Sequence, residues 1–544
     1  MNSKSRIYFI NALLLLTCFH LKAQIIRSNL PLLLINTNGL SIPDEYKITA
    51  QMKVVDLGKG KEHTDTSTTF AFDGIIGIEL RGSSSQSFPK KPYGIEIKDD
   101  KGEDKDESFF GWPKESDYVL FASYNEKSLM HNVLTMNLAR EFGMYASRTR
   151  YVEVILNGNY QGVYVFMEKV KRDKGRVDID KLDDDENSGD DLTGGYIMKI
   201  DKVTGSIGGS FTSDFKSQYG KDIHYQYDTP KAPTSQQVNY IQNFIRTFEN
   251  SVNNANYKDP DVGYRKYADV ESFVKYFLIN EFARNMDGFR ISTFLHKDKD
   301  SRGGKLKMGP VWDFDICYGN ANYCEGNRYD LYAHGFNAVC SNDFFQVPFW
   351  WNKLLADPYF LDLTRTIYTK ERTEGIFKMS RINALIDSLK LELGQAQVRN
   401  YEKWPILGTY VWPQPDPIPA SWEGEINELT NWIPKRLEFL DKMFLIKTDT
   451  EESTYKKEIR VYPNPVDEQS IAYLPDGFDE VVKIKVFDAL GRVVAQINSY
   501  HTSFGLSIPL QDLFDLQSLS RTGVYFMEVI DLHDRRATIK LLRK

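Results

Sequence analysis

Histidine and cysteine are scarce in this sequence, which has eight His and four Cys among 544 residues. The His residues are scattered, and neither the His-Glu-x-x-His pattern of zinc peptidases nor the Gly-x-Ser-x-Gly turn of α/β-hydrolases occurs. The P-loop pattern and the glycine-rich loop of protein kinases are missing as well. Peptidase and serine-hydrolase chemistry therefore lack support. A glycosidase needs only two carboxylates, so the sequence leaves that class open.

Positive charge and long apolar segments are also lacking. Lys and Arg total 68 against 75 Asp and Glu, so the net charge is −7 and a nucleic-acid partner is not expected. No segment has the roughly 20 apolar residues that a membrane span requires. The shorter apolar stretch Ile7–Phe19 follows Lys4 and Arg6 and precedes Ala23. This pattern predicts a secretory signal peptide over residues 1–23 and a mature chain without a transmembrane segment.

Export would leave three cysteines, Cys317, Cys324 and Cys340. An oxidising compartment favours a disulfide, and a Cys324–Cys340 bridge would close a loop of about 15 residues. Unpaired thiols are a second interpretation. A zinc site is the third, although His334 is the one histidine that could join it.

The apolar patterns divide the rest of the chain into segments of different character. Residues 24–230 contain short β-branched and aromatic runs typical of strands, with one helix from Asn125 or Lys127 to Phe142. Residues 231–445 are mainly helical, including a helix that begins at the N-cap Asp269 and a hairpin between residues 291 and 311. These two halves predict one two-lobed catalytic unit of the α+β class.

The C-terminal part of the chain has another pattern. Residues 446–455 are polar and predict a linker. Residues 456–544 contain short strands at regular spacing, which predicts a small antiparallel β-sandwich. We therefore expect a separate final domain.

Acidic residues on two loops of the helical half are the main candidates for chemistry. Asp287 follows a helix, and Asp313 and Asp315 follow the predicted hairpin. Phosphoryl transfer uses one carboxylate to orient or deprotonate a hydroxyl and others to hold Mg²⁺ against phosphates. The alternative is structural, because Asp-Gly pairs form turns and Asp residues cap helices.

A Gly/Ser turn in the strand-rich half could bind an anion. Arg81 precedes this turn, and Lys90 and Lys91 follow it. Backbone N–H groups together with Arg and Lys side chains suit a polyphosphate, although such turns are also ordinary surface loops. Glu168 at the end of a predicted strand could orient Lys90 or Lys91 through an ion pair.

The sequence resembles the CotH family of secreted, atypical protein kinases. The resemblance covers about residues 30–445 and is carried, in order, by Leu80 to Tyr93, Tyr151 to Tyr164, Glu168-Lys169-Val170, Gly194-Gly195-Tyr196, Asn285-Met286-Asp287-Gly288 and Trp312-Asp313-Phe314-Asp315. It implies a kinase-like fold that binds ATP and a divalent metal, Mg²⁺ or Mn²⁺. It also implies that the chain moves a phosphoryl group to a hydroxyl of a protein or surface component.

The resemblance implies a role for each matching residue. Asp287 would be the catalytic aspartate, Asp313 and then Asp315 the metal ligands, and Arg81, Lys90, Lys91 and Glu168 would contact the nucleotide. Two positions depart from the pattern. Ser292 stands five residues after Asp287, where protein kinases have Asn, which puts a second metal ion in question. His131 stands where Arg is expected in a Lys-x-x-x-Arg-Asn block. These departures would also permit a catalytically silent adhesin or scaffold.

The last domain resembles the C-terminal sorting domain of the type IX secretion system. The matching residues are Val461-Tyr462-Pro463-Asn464-Pro465, Val486 to Arg492, Gly523-Val524-Tyr525 and the basic end Lys540 to Lys544. The resemblance implies handling by that secretion machinery and release or attachment at the surface of a Gram-negative cell.

Overall fold

The computed structural model describes residues 25–203, 208–446, 459–467, 469–474, 481–498, 507–510, 522–531 and 536–543. The predicted signal peptide, residues 1–23, lies outside this part of the chain, as do residues 447–455 of the predicted linker. In the described residues, no helix combines the length and the apolar character that a membrane crossing requires.

The N-terminal strands form a closed barrel. Seven strands close it in the order β2-β3-β5-β6-β7-β9-β8, and β1 pairs with β4 outside it. The strands up to the barrel's end are β1 Arg27–Ser28, β2 Leu32–Asn36, β3 Ile48–Val55, β4 His63–Thr64, β5 Phe72–Leu80, β6 Tyr93–Lys98, β7 Asp117–Phe121, β8 Thr149–Leu156 and β9 Asn159–Glu168. Neighbours are antiparallel except β2 and β8, whose parallel pairing closes the barrel.

Alternate residues of these strands fill the barrel interior, as the period of two in a strand requires. Ile76 and Ile78 on β5 and Ile95 and Ile97 on β6 belong to one buried cluster. The hairpin between β8 and β9 turns at Asn157 and Gly158, both with positive φ, as an Asn-Gly pair between two strands favours. The barrel thus supplies a rigid wall from which the loop at Arg81 projects.

A second, antiparallel sheet joins the two predicted halves. Its order is β11-β12-β10-β13-β14, with strands β10 Tyr196–Ile200, β11 Ser210–Thr212, β12 His224–Thr229, β13 Thr293–Lys297 and β14 Leu306–Met308. The first three precede residue 230 and the last two follow α3, so the sheet crosses the predicted boundary between the halves. The predicted hairpin is present as β13 and β14.

Nine helices occur in the described residues, and α3 packs against strand β14 of this sheet. They are α1 His131–Glu141, α2 Ser235–Asn253, α3 Val270–Ala283, α4 Phe336–Val339, α5 Trp350–Leu355, α6 Pro358–Thr373, α7 Met379–Leu393, α8 Ala396–Lys403 and α9 Trp422–Phe444. The Asp269 side chain accepts a hydrogen bond from Ser272 N at 3.1 Å, which confirms the predicted N-cap of α3. Ten residues of α3 are buried, so this helix is a central support for the loop that follows it.

The predicted start of α1 is wrong. The helix begins at His131, because the Glu126 carboxylate accepts hydrogen bonds from Ser128 N at 2.7 Å and His131 N at 3.1 Å and holds the preceding residues in a turn. Leu129 in this turn has φ of 66°, which no α-helix contains. The end is close to the prediction, since Gly143 with φ of 77° follows the C-cap Phe142.

The structure resolves the three interpretations of the cysteines. Cys324 and Cys340 form a disulfide, whereas Cys317 is free and buried. The zinc interpretation is wrong, because two of the three cysteines are joined in the disulfide and His334 Nδ1 lies 2.7 Å from Glu281 Oε1. The disulfide ties the segment after Tyr323 to the C-cap of α4.

The C-terminal residues form two antiparallel sheets with a buried cluster of their own. One sheet has the order β15-β16-β19 and the other β18-β17-β20-β21. The strands are β15 Arg460–Tyr462, β16 Ile471–Tyr473, β17 Val481–Asp488, β18 Val493–Asn498, β19 Ser507–Pro509, β20 Gly523–Asp531 and β21 Arg536–Arg543.

Candidate active site

Two loops that are distant in sequence lie side by side at the end of α3. Met286 N donates to Ile316 O at 3.0 Å, and Asn285 Nδ2 donates to Asp313 O at 3.2 Å. A third hydrogen bond fixes the second loop to α1, because Asn132 Oδ1 accepts from Phe314 N at 2.8 Å. The structure therefore brings together the three aspartates that the sequence singles out.

Both loops contain non-glycine residues in the left-handed region of φ. Arg284, Phe289 and Ser292 have φ of 44°, 71° and 49°, and Asp313 has φ of 66°. Such residues are uncommon, and they persist only where the surrounding structure holds them. Arg284 is held by donating to Leu331 O at 3.1 Å and Glu325 O at 2.7 Å. The strain is concentrated beside the carboxylates.

Asp287 lies near the surface of this site with one cation against it. Its Oδ1 is 3.1 Å from Arg290 Nη2, and its side chain is 14% exposed. Arg290 also contacts Asp343 at 3.3 Å and donates to Met286 O at 2.7 Å, so Asp287 shares this cation. Burial raises the pKa of Asp287 to about 6, Arg290 lowers it, and the charge of Asp313 raises it further. The carboxyl is therefore adjusted toward the range in which it can exchange a proton near neutral pH.

Asp315 is buried and Asp313 is partly buried, and both carboxylates accept hydrogen bonds from neutral donors. Ser292 Oγ donates to Asp313 Oδ2 at 3.2 Å, and Asn125 Nδ2 donates to Asp315 Oδ2 at 2.6 Å. Burial raises the pKa of Asp313, and the negative charge of Asp315 raises it further. Burial also raises the pKa of Asp315, with Asp287 adding to the effect. The site holds negative charge that these contacts do not neutralise.

The chemistry of these donors fits Mg²⁺ or Mn²⁺. Carboxylate and hydroxyl oxygens are hard ligands, and Mg²⁺ usually takes one or two carboxylates and completes its shell with water and phosphate. Within the described part of the chain, no group of three or more His, Cys, Asp or Glu side chains is arranged to hold a metal ion. The structure thus offers a partial, two-carboxylate cradle, which suits a metal ion that arrives with a phosphate ligand.

Arg81 faces the acidic loops from the barrel. Its guanidinium carbon lies 5.5 Å from the centre of the Trp312 ring. Burial lowers the pKa of Arg81, and the charges of Asp313 and Glu79 raise it, so Asp313 lies within its electrostatic range. Gly82, with φ of 91°, allows the turn, because a Cβ there would overlap Ser85 Oγ. Arg81, which the resemblance implies as a nucleotide contact, therefore lies near Asp313.

The lysines after the turn have different positions. Lys91 is half-buried, and its Nζ donates to Gln86 O at 2.6 Å, which braces the turn itself. Lys90 is buried, with Nζ 3.0 Å from Asn400 Oδ1 of α8 and 4.8 Å above the Tyr164 ring. Burial lowers the pKa of Lys90 to about 7.

The predicted ion pair between Glu168 and Lys90 or Lys91 is wrong. Glu168 Oε1 lies 2.8 Å from Arg148 Nη1 and 3.1 Å from Arg176 Nη2, so two arginines take the place expected for a lysine. Glu168 and the Arg176 side chain are fully buried. The physical reason is that Lys90 turns toward α8 and the β9 carbonyl of Val163, away from the end of β9.

The two departures from the kinase pattern have distinct surroundings. Ser292 Oγ lies next to Asp313, so a side-chain oxygen is present at the position where protein kinases have the oxygen of Asn. His131 is buried with its ring 5.2 Å from the Tyr318 ring, and burial lowers its pKa. His131 therefore supports the loop after Asp315 instead of adding a positive charge.

Sequence reasoning missed several residues of the site. Arg290 beside Asp287 and Asn125 beside Asp315 were not predicted as members. Lys169 is not assigned a role from the sequence either. Burial lowers its pKa, Asp117 raises it, and the charges of Lys231 and Arg81 lower it further, so Lys169 lies within electrostatic range of Arg81. Arg290 follows Asp287 by three residues and could have been found from that spacing. Asn125 could not, because 190 residues separate it from Asp315.

Comparisons with known proteins agree with the sequence resemblance. The family model described as CotH kinase protein matches residues 78–440, about two thirds of the chain. A second model, described as a secretion system C-terminal sorting domain, matches residues 460–542. The chain is also 26% identical over 265 residues to the inner spore coat protein H of Bacillus subtilis (strain 168). That match covers 48% of this chain and 65% of the relative, which is just under two thirds of its length.

One solved structure is a further match, described as a Helicobacter pylori proinflammatory kinase, CtkA. The match covers 57% of this chain and 94% of the solved chain at 12% identity, with a TM-score of 0.18. A TM-score this low carries no argument about the fold.

Proposed function

The chain belongs to the CotH kinase protein family, and from that premise we propose that it transfers the γ-phosphoryl group of ATP to a hydroxyl of a protein or surface component. One observation carries the proposal: Asp315 is buried, Asp287 and Asp313 lie beside it partly buried, and all three have raised pKa values without enough positive charge to balance them. Titratable groups perturbed in this way are concentrated at functional sites.

Asp287 is proposed as the catalytic aspartate. It orients the acceptor hydroxyl and accepts its proton as the oxygen attacks phosphorus. A carboxyl with a pKa of about 6 is mostly ionised at neutral pH, yet it binds a proton far more readily than an exposed aspartate does. Arg290 holds the carboxylate in place at 3.1 Å without neutralising it completely, because it also contacts Asp343.

Asp313 and Asp315 are proposed as the ligands of a divalent cation, with Ser292 beside them. A bound Mg²⁺ or Mn²⁺ would neutralise the phosphate oxygens and the developing negative charge. Asn125 and Ser292 orient the two carboxylates through their hydrogen bonds. Neutral orienting groups leave the negative charge of the pair available to a cation.

Arg81 is proposed as the nucleotide-phosphate contact of the barrel side, and Lys91 as a brace of the same turn. Arg81 lies near Asp313 and can reach phosphates held there. Lys90 and Glu168, also predicted to contact the nucleotide, are proposed instead to hold the turn and β9 in place, since both are engaged inside the protein. Lys169 joins Arg81 as a candidate phosphate contact.

The remaining parts of the chain fit an exported enzyme. The C-terminal sorting domain points to secretion or the cell surface through the type IX system. We propose that residues 1–23 are a signal peptide, that residues 446–455 form a linker and that the sheets of 456–544 form a sandwich used for sorting. Residues 24–445 would be the two-lobed catalytic unit, with the barrel in one lobe and the helices in the other. The cell would be Gram-negative.

The test is the intact mass of the purified mature protein after incubation with ATP and Mg²⁺ or Mn²⁺, alone and with added acceptor proteins. We expect gains of one phosphate mass, and we expect Asp287→Asn and Asp313→Ala to abolish them. Asp387→Asn on α7 is the matched control, because Asp387 is exposed and distant from the loops in sequence. Its phosphate gain should equal that of the wild type.

Thermal unfolding with nucleotide separates the remaining alternatives. Ligand at 100 times its Kd adds about 2.7 kcal/mol to the stability of a protein that binds it. If neither phosphate transfer nor nucleotide-dependent stabilisation occurs, the kinase proposal fails and a silent adhesin or scaffold on the same fold replaces it. Stabilisation by sugars instead of nucleotide would indicate a carbohydrate-active protein.

A further inference from the structure

A cavity of about 170 Å³ lies beside the loop that follows Asp315. Four segments enclose it: the turn before α1, the loop after Asp315, the proline-rich loop of residues 414–419 and the first turns of α9. We call it the Gln414 cavity. Its volume is far above the roughly 10–15 Å³ that one water requires, so it can hold a small organic group.

Four carboxylates and one lysine line the Gln414 cavity, so its charged groups carry an excess of negative charge. Its carboxylates come from every segment except the loop after Asp315, and they are Glu126, Asp416, Glu425 and Glu428. Lys127 is the lysine of the lining, and its ammonium already donates to the Thr409 carbonyl oxygen. His131 also lines the cavity, and burial lowers its pKa, which disfavours its charged form. A ligand for this cavity must therefore supply donors.

Gln414 provides an independent sign of a missing donor. The side-chain nitrogen of Gln414 donates to both carboxylate oxygens of Glu425, at 2.9 and 2.8 Å. This arrangement fixes the amide, and its Oε1 is buried without a hydrogen-bond partner in the described structure. Gln414 is 6% exposed. A buried acceptor left without a donor is costly, so a native protein usually supplies one, from its own groups, from water or from a ligand.

The spacing of the acceptors argues against a metal ion. No group of three or more His, Cys, Asp or Glu side chains in the described residues could hold one. The hydrogen-bond donors that these acceptors require must then be distributed over a larger, organic cation. A guanidinium has five N–H donors in one plane and pairs with carboxylates through two parallel bonds. Trp432 and Leu429 add apolar surface on which such a plane and its alkyl stem can pack.

We infer that the Gln414 cavity binds a small guanidinium compound, with Glu425 and Gln414 Oε1 as its principal acceptors. The cavity is separate from the aspartates but shares a wall with them. Asn320, which lines it, donates to Asn125 O and to Asp315 O, both at 3.0 Å. A bound ligand would thus lie one side chain away from the backbone of the proposed metal site.

The test uses agmatine as the probe and isothermal titration calorimetry of the full chain, without nucleotide. We expect saturable binding of one agmatine, weakened at least tenfold by Glu425→Gln and several-fold by Gln414→Met. Glu438→Gln, on the same helix but 72% exposed, should bind as the wild type does. Putrescine, which has ammonium groups alone, should bind about tenfold more weakly because it lacks the planar fork.

A pH series on the wild type keeps the inference testable if the variants do not fold. Burial raises the pKa of Glu425 to about 7, so a cation must displace a proton at lower pH. The agmatine affinity should fall about tenfold from pH 8 to pH 6. Absence of saturable binding up to roughly 10 mM agmatine overturns the inference, because a dissociation constant above that concentration is too weak for specific binding. Equal binding of putrescine, or a flat pH series, also overturns it.

Discussion

Buried carboxylates occur in two regions of this chain, and their surroundings differ. On α3, Glu281 is fully buried, and its oxygens lie 2.7 Å from Arg436 Nη2 and 2.7 Å from His334 Nδ1. Ala333 N adds a hydrogen bond at 3.0 Å. Burial acts to raise the pKa of Glu281, but His334 and Arg436 outweigh it and hold the pKa below its ordinary value.

At the three aspartates near the end of α3, burial outweighs the neighbouring positive charge, which is the opposite of the situation at Glu281. Asp313 and Asp315 have neutral donors and each other's charge, and Asp287 shares its arginine with a second carboxylate. Burial raises the pKa of all three. A protein interior tolerates a charge when partners compensate for it, as they do at Glu281. The charge near the end of α3 lacks such partners, and this contrast supports the proposal that a ligand supplies them.

The largest effect should come from Asp287→Asn. An amide cannot accept the proton of the acceptor, so we expect kcat for phosphate transfer to fall by about 10³-fold or more. The free energy of unfolding should not decrease, because the variant removes a repelling charge. Steady-state kinetics and urea unfolding of the same preparations measure both quantities. If the variant loses stability along with activity, then Asp287 has a structural role like that of Glu281.

Glu281→Gln should show the reverse behaviour. Arg436 would remain buried without its counter-charge, so we expect a loss of about 3–5 kcal/mol in the free energy of unfolding. Glu423→Gln is the matched control, because Glu423 lies in the first turn of α9 with a side chain 58% exposed, and it should change stability by less than about 0.5 kcal/mol. Urea unfolding at constant pH measures both. If Glu281→Gln leaves the free energy of unfolding unchanged, the contrast between the two regions disappears.

Loss of the disulfide should weaken the framework and spare the carboxylates. Cys324 and Cys340 are 16 residues apart, and on the chain-entropy model such a loop contributes about 3 kcal/mol. The double variant Cys324→Ser, Cys340→Ser should lose about that amount in urea unfolding. Its activity at low temperature should remain, because the disulfide touches none of the three aspartates in the described structure. Loss of activity in the still-folded variant would contradict this separation.

The raised pKa values predict how stability depends on pH. A carboxyl with a raised native pKa stabilises the fold fully below its unfolded pKa, and this stabilisation is lost as the pH rises through the native pKa. For Asp287 that window runs from 3.8 to about 6. Across it, wild type should lose about 2–3 kcal/mol relative to Asp287→Asn. Urea unfolding at several pH values measures the difference, and a constant difference would disprove the raised pKa.

Much of the local structure could be predicted from the sequence. The runs predicted as strands between residues 75 and 200 are strands, and Asp269 caps α3 as expected. These features depend on neighbouring residues. Closure of the barrel depends on β2 pairing with β8, about 120 residues later, and no local pattern reports that contact.

The same distinction applies to the site. The three aspartates could be found because each follows a recognisable helix or hairpin. Their polar neighbours could not, since Asn125 meets Asp315 only after the chain has folded. The Glu168 ion pair was predicted wrongly for a related reason: a carboxylate does not specify in sequence which cation it will meet, and Arg148 and Arg176 were nearer than either lysine.

The smallest effect should come from Ser292, which donates to Asp313 Oδ2 at 3.2 Å. Ser292→Ala removes one neutral hydrogen bond, worth about 1 kcal/mol, so we expect divalent-cation affinity to weaken about three- to tenfold. Ser292→Asn keeps an oxygen at the position and should retain affinity closer to that of the wild type. Calorimetric titration with Mn²⁺ in the presence of nucleotide measures the three proteins. If the Ser292→Ala variant and the wild type bind Mn²⁺ with equal affinity, then Ser292 only supports the strained backbone. The charge of Asp313 and Asp315 alone would then hold the cation.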